Sequence, residues 1–430
     1  MERIDDIFVR NSRKISGKVA VANATGKINY DLLLKKASEC GTLIENLKFK
    51  FVAVGILLPN SVEFVVSVMS VWISKNVVVP LNIGYNDYDL LRIIKILKIN
   101  ILITNLSRAS QLRKSFNGLI FEIKPDLSLK FCLQDFIKEE ISVFSGEHAV
   151  GFLTSGTTGS PKIVGLTHQN LLCNIKSERK CISLPENHMT YVHLPMCHSY
   201  IFTLQMLSHL LSSGSIYIGA GHKSSVELVR EIDNSSCNSI FAVPSLFHVI
   251  LDGMNRTKKK LTSLNYLVNG ASSMTEPLLN RISKAFTSAK IYLTYGLTEA
   301  SPLVTCLPPS LIESKGCSIG LPVEGVDVRL LNGEIHETNE KVGEIIVKGE
   351  SVITEYIGNP EVNKDSFVRN YLRTGDLARM DKSGCLFLNG RIKDIINRGG
   401  ENIYPSEVEE VLLKDKNIVE AAVVPHPHPI

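Results

Sequence analysis

From Phe51 the chain alternates short apolar runs with helical ones: FVAVGILL, SVEFVVSVMSVWIS, NVVVPLN, DYDLLRIIKILK and ILIT follow one another with only brief connections. This rhythm constrains the fold more than any other feature. Apolar runs that do not alternate with polar residues suit strands buried on both faces, and the helices between them act as crossovers that set the strands parallel in one sheet. The rhythm returns at 238–243, 264–268 and 290–294, with helical stretches such as EPLLNRISKAF between, so a second, similar sheet is expected. After Gly316 the pattern changes to VDVRLLNGEIHE, with an Asn332-Gly333 turn, and GEIIVKGE. Those segments predict antiparallel hairpins and a small β subdomain.

From Gly384 the run CLFLNGRIKDIINRGGENIYPSEVEEVLL reads as a strand, a charged joint, a Gly-Gly loop and a helix, with Ser406 and Glu409 as a capping box ahead of that helix. Asn417 to Val424 reads as a further strand, yet only PHPHPI follows it. An apolar strand with an open edge is an aggregation liability, so the expectation is a last domain cut short. Alternating prolines around His426 and His428 favour an extended tail over a metal site.

Charge and cysteine content narrow the function. In 430 residues, Lys and Arg number 47 against 43 Asp and Glu, which provides no global field for nucleic acid or an acidic membrane. Small-molecule partners are expected. The nine cysteines are scattered without CxxC spacing, as suits reduced thiols in a cytoplasmic protein. The charged N-terminus has no signal-peptide core. The longest apolar stretch, Phe64 to Ile73, carries Ser67 and Ser70 and is too short for a span, so it reads as a buried helix without stable membrane insertion.

Chemistry concentrates in five segments. TSGTTGSPK, Thr154 to Lys162, follows the apolar run Ala149 to Leu153 and combines glycines able to turn backbone N–H groups toward an anion, hydroxyl donors and a lysine. It is a phosphate-holding loop in type, though Gly156 and Gly159 are too close for a Walker A motif. IYLTYGLTEAS places Tyr295, Thr298 and Glu299 at the carboxyl end of a strand, where open α/β sheets bind ligands. There a tyrosine offers a face to a purine, a threonine a hydroxyl to phosphate, and a glutamate a hard oxygen to Mg²⁺. Asp376 in YLRTGDLARM follows a glycine turn and suits two ribose hydroxyls, although Asp in a turn also serves turn chemistry. GRIKDIINRGGENIYP adds Arg391, Lys393, Gly399 and Gly400.

With TSGTTGSPK, YGLTE, RTGDL, GRIKDII and GGENIYP in this order, the chain resembles the AMP-forming adenylating superfamily of acyl- and aryl-CoA synthetases, peptide-synthetase adenylation domains and beetle luciferases, most closely the acid:CoA ligases. The resemblance runs from roughly Asp31 to the last residue. It implies an α/β fold with a large N-terminal domain of two similar sheets and a small β subdomain over residues 1–392. Residues 393–430 would be the hinge and the truncated beginning of a small α+β C-terminal lid domain. It also implies activation of a carboxylic acid by Mg-ATP to an acyl-adenylate, then transfer to a thiol, either CoA or the phosphopantetheine of an acyl carrier protein. By matched position, Thr154, Ser155, Gly156, Thr157, Thr158, Gly159 and Lys162 hold the β- and γ-phosphates. Gly270, Ala271, Tyr295 and Gly296 border the nucleotide, Tyr295 stacking on adenine. Thr298 meets the α-phosphate, Glu299 holds Mg²⁺, Asp376 takes the ribose with Arg391 beside it, and Lys393 is the hinge.

The family's catalytic lysine lies roughly 100 residues past the hinge, a small-domain length, and this chain has fewer residues than that after Lys393. The expectation is therefore nucleotide binding with weak catalysis. A non-catalytic adenylate-binding protein is the alternative from another class. LPMCHSYIFTL matches the acid pocket: His198 takes the place of a gating aromatic, or is a packed core residue, and lies adjacent to Cys197 so that on a strand the two would face apart. No aspartate stands between Leu194 and Leu204 to hold a substrate ammonium, so an unsubstituted acid is expected. Ile201 would shorten the pocket toward a short, medium or aryl acid, and Ser199 would donate to a ring hydroxyl or bond its own backbone. His168 also matches the family, but Thr167 reads as the N-cap of the following helix, which favours capping over catalysis.

Overall fold

A computed structural model describes residues 2–112, 115–132, 142–154, 161–221, 224–336, 342–398, 401–413, 415, 418 and 421–426. The βα rhythm builds a seven-stranded sheet in the order Leu129–Cys132, Leu119–Ile123, Ile99–Thr104, Ala53–Leu57, Val77–Pro80, His148–Thr154, Lys162–Thr167. Its five inner strands are parallel and its two edge strands pair antiparallel. The apolar segment read as a buried helix is Val62–Ile73, in which Ser67 and Ser70 return their hydroxyls to the carbonyls of Glu63 and Val66 at 2.7 and 2.6 Å. That leaves no polar side chain to oppose burial, and Trp72 ties the helix to the sheet through its indole N–H and the Ala149 carbonyl at 2.8 Å. No helix among the described residues is long and apolar enough to cross a membrane.

The second sheet has nine strands, and its parallel centre runs Lys290–Gly296, Tyr266–Asn269, Ser239–Ala242, Met189–Val192, Ser215–Ile218, Val19–Asn23. Its far edge is supplied by the N-terminal hairpin Val19–Asn23 and Gly26–Asn29, while Leu303–Leu307 closes the other side antiparallel to the site strand. The β subdomain is a six-stranded antiparallel sheet in which Val326–Asn332 turns at Gly333, with φ of +74°, into Glu334–His336. One apolar core joins residues of all three sheets, among them Val54, Val192 and Val328. The three sheets therefore hold their strand ends in fixed relation, as a site assembled between them requires.

Three local expectations are corrected. The last helix, Pro405–Leu412, starts with Pro405 at its first turn and Tyr404 as its N-cap, so Ser406 is not in the N-cap position that a capping box with Glu409 requires. Pro405 sets the helical φ there without needing a donor, and the Glu409 carboxylate instead accepts the Val423 N–H at 2.8 Å. The expected strand over 417–424 is absent at the described residues 418 and 421–424. The segment after Leu194 is a turn that winds at Ser199 into a helix and then the π-helix Ile201–Leu207, so Cys197 and His198 are not strand neighbours.

Candidate active site

The strand Lys290–Gly296 reaches the site and stops where Gly296 passes against another backbone: a Cβ there would lie 1.7 Å from the Pro302 carbonyl oxygen. Only glycine fits that approach. The chain then turns through Thr298–Ala300, which carries Thr298 and Glu299 just beyond the strand end. Thr298 Oγ1 and Ser199 Oγ share a hydrogen bond of 2.9 Å, joining the turn to the start of the helical segment opposite.

Glu299 is 9% exposed, and its Oε1 accepts the Tyr356 hydroxyl at 3.0 Å and the Thr154 hydroxyl at 3.4 Å. Among the described residues no basic side chain forms an ion pair with it and Oε2 accepts no hydrogen bond. A buried carboxylate without a counter-charge, its geometry held by two neutral donors, fits a divalent cation. Lys162 pairs with Thr154 across the hairpin and sets its ammonium 4.5 Å from the centre of the Tyr356 ring. Ser155, Gly156, Thr157, Thr158 and Gly159 lie outside the described residues.

Tyr356 was not among the expected site residues. It touches both charged groups, and its backbone neighbours fasten the same place: Ile353 N–H donates to the Glu299 carbonyl at 2.9 Å and Ile357 N–H to the Ile163 carbonyl at 3.0 Å. Burial and the adjoining Glu299 carboxylate push its phenol far above the ordinary range, so it stays a donor. No sequence signal marks it, since it stands far from Glu299 along the chain.

On the other side of the strand, Gly375, at φ of +74°, turns the strand Tyr371–Met380 so that Asp376 faces Arg391 in register. Asp376 takes the Arg391 guanidinium on Oδ1 and the Tyr295 hydroxyl on Oδ2, each at 2.8 Å. Burial raises the Asp376 carboxyl above the usual carboxylate range against the opposing pull of Arg391, which is itself largely in solvent. Tyr295, Asp376 and Arg391 are thus brought together as expected.

Two cavities meet at this strand end. One of about 290 Å³ is lined by Asn269, Ala271, Ser272, Tyr295, Gly296, Asp376 and Arg391 among others. The other, of about 390 Å³, runs from Ala271, Thr294 and Thr298 past His198, Ser199 and Tyr200 to Phe152, Leu81, Ile93 and Leu97. Gly270 lies behind their shared wall, where a Cβ would strike the Tyr200 ring at 2.5 Å. Burial lowers the His198 imidazole below its ordinary value, keeping it neutral at the cavity wall. Ile201, expected in that wall, is instead 2% exposed in the core, while Tyr200 and Leu204 face the cavity.

The remaining candidates lie apart. Lys393 is exposed in the short turn Ile392–Asp394, between the six-stranded sheet and the antiparallel strands Ile396–Arg398 and Glu401–Ile403. Gly399 and Gly400 lie outside the described residues. Thr167 caps its helix in a capping box with Asn170, while His168 is buried, driven down to about 3 by desolvation, and accepts the Ile4 N–H at 3.2 Å on Nδ1. It has a packing role.

Residues 8–357 match the protein family described as AMP-binding enzyme. The chain is 30% identical over 426 residues to an oxalate–CoA ligase of Arabidopsis thaliana, covering 95% of this chain and 81% of that protein. It is 31% identical over 281 residues to a long-chain-fatty-acid–CoA ligase of Yersinia pestis, covering 64% and 50% of the two. The O-succinylbenzoate coenzyme A synthetase of Bacillus subtilis, solved with ATP and magnesium ion, shares the fold with a TM-score of 0.85 at 23% identity, covering 98% of this chain and 87% of that one.

Proposed function

The chain belongs to the AMP-binding enzyme family and is of the AMP-forming acid:CoA ligase type; from that premise we propose how its own residues carry the reaction. A carboxylate oxygen bonds to the α-phosphorus of ATP, the bond from that phosphorus to the bridging oxygen breaks, and pyrophosphate leaves. The CoA sulfur then bonds to the acyl carbon, the thiol gives up its proton, and AMP departs.

The observation that supports this reading is the convergence of Tyr295, Thr298 and Glu299 with Asp376, Arg391 and Lys162 around the shared end of two cavities. The nucleoside fits the smaller cavity, with its ribose on Asp376 and its base against Tyr295. The acid fits the larger one, with its carboxylate near Ser199 and Thr298. Thr298 thereby stands where the two reactants meet and donates to the oxygen that gains charge. Lys162 and the loop 154–160 orient the outer phosphates, and Glu299 would hold Mg²⁺, which when bound neutralises charge on the phosphates. Residues 1–392 form the adenylate-forming unit, and Lys393 is the pivot about which 393–430 turns between the two half-reactions.

Calorimetry of this chain with AMP and with Mg-ATP tests the reading. Both bind, and Glu299→Gln weakens Mg-ATP roughly 10- to 100-fold, the loss of one charged contact, while leaving AMP unchanged. Absence of AMP binding overturns it, as does an unchanged Mg-ATP affinity in the variant. Acid-dependent pyrophosphate release measures turnover directly.

A further inference from the structure

We propose that the acid is an apolar monocarboxylic acid of medium chain length or a single ring, its tail ending against Ile93 and Leu97. The proposal rests on the adenylation reading above. The names of the similar proteins point two ways, to a dicarboxylic acid with the oxalate–CoA ligase and to a long apolar tail with the fatty-acid ligase. These acids differ in charge at the end remote from the reacting carboxylate, which is where the larger cavity is informative.

Its hydroxyl-bearing wall, Ser199, Thr294 and Thr298, clusters at the strand end where the reacting carboxylate belongs. Beyond that the walls come from Val79, Leu81 and Phe152 of the first sheet and from the helix Asp87–Ile96, where Ile93 and the following Leu97 stand four residues apart, with Asn82, Tyr85 and Cys197 as the uncharged polar groups among them. Among the described lining residues there is no Lys, Arg, Asp or Glu. The one imidazole among these lining residues, His198, is shifted by burial toward its neutral form. A second carboxylate would enter without a cationic partner among these lining residues, and burial of an unpaired charge is penalised heavily. An alkyl or aryl tail has no such cost and gains by leaving water.

The cavity also has an end. Leu97 is 1% exposed and packs in the core on the outer face of the first sheet with Leu90 and Ile94, so it closes the space. At about 390 Å³ the cavity falls toward the small end of ligand pockets, which favours a tail shorter than that of a long-chain fatty acid.

The test is a thermal-shift titration of the 430-residue chain with AMP, then with acyl-sulfamoyl adenosines bearing acetyl, octanoyl, hexadecanoyl, benzoyl and oxalyl groups. The expected result is a midpoint raised by AMP, raised further by the octanoyl or benzoyl analogue, and raised least by the oxalyl one. Ile93→Phe should weaken the octanoyl analogue about tenfold while leaving AMP and the acetyl analogue unchanged, and Ile93→Ala should favour longer tails. If AMP shifts the midpoint but the oxalyl or hexadecanoyl analogue exceeds the octanoyl and benzoyl ones, the acid assignment fails and the adenylation reading stands. An unchanged chain-length profile in both Ile93 variants overturns the assigned floor. Failure of AMP and every analogue to bind removes the adenylation reading and this proposal with it.

Discussion

The two cavities that share Ala271, Thr294, Tyr295 and Gly296 are built on opposite principles. The smaller is polar and over-connected, since Asp376 takes a guanidinium on one oxygen and a phenol on the other, and its position is set by a glycine turn and a strand register. The larger is bounded mostly by side chains that belong equally to the hydrophobic core, such as Phe152, Leu81 and Leu97. The contrast teaches how such an enzyme divides its tasks. Binding a nucleotide demands particular donors and charges at fixed separations, whereas choosing an acid demands only a volume and the absence of charge.

The largest effect should come from Asp376→Ala, which removes the ribose acceptor and leaves Tyr295 and Arg391 without their partner. AMP affinity by calorimetry is expected to fall about 100-fold, from the loss of charged hydrogen bonds. The ratio of octanoyl-sulfamoyl adenosine affinity to that of the analogue without an acyl group should stay constant. A change in that ratio would break the separation of the two cavities.

Next is Tyr356→Phe, which keeps the ring under Lys162 and deletes the hydroxyl bonded to Glu299. Mg-ATP affinity is expected to fall up to about tenfold, with a higher Mg²⁺ concentration needed for half-maximal binding. AMP binding, which makes no use of Glu299 in this arrangement, should not move. A Phe variant with the same Mg²⁺ dependence as the parent would reduce Tyr356 to packing.

The smallest effect concerns pH. Burial raises the Asp376 carboxyl, so the folded protein holds that proton more firmly than the unfolded chain. Any stability this shift contributes is present below the unfolded value and lost as pH rises through the folded one. For binding the sign is the reverse, because a protonated carboxyl loses an acceptor for ribose. Adenosine affinity is therefore expected to weaken on acidification from a higher pH than an exposed aspartate would show. The increment from an octanoyl group should remain flat over the range in which the ribose affinity falls, since Asp376 lines the smaller cavity and not the larger one. Equal pH sensitivity on both sides would contradict the contrast.

The difference between the cavities is also a difference in legibility. Tyr295, Thr298, Glu299, Asp376 and Arg391 stand in short motifs whose order carries the family resemblance, and the structure brings Tyr295, Asp376 and Arg391 into contact as that resemblance implies. Tyr356 carried no such sign. Its function comes from reaching Glu299 across the fold, a contact that depends on how the β subdomain sits on the sheets. Ile201 was misplaced because its segment was compared position by position with a pocket wall. The helix that starts at Ser199 and continues as a π-helix rotates Tyr200 and Leu204 to the cavity and Ile201 to the core. The capping box at Ser406 failed in a related way, because the helix starts at Pro405 with Tyr404 as its N-cap, two residues before Ser406.

The sequence by itself determined the two parallel sheets, the hairpin subdomain and the buried helix Val62–Ile73. Each of these rests on local chemistry, namely periodicity and turn glycines. Only the tertiary structure decided that the N-terminal hairpin completes the second sheet, that Tyr356 joins Lys162 to Glu299, and that Ile93 and Leu97 line the larger cavity. Those outcomes depend on packing between distant segments, where an apolar residue has the same composition whether it faces another side chain or an empty volume, and only the neighbours brought by folding distinguish the two.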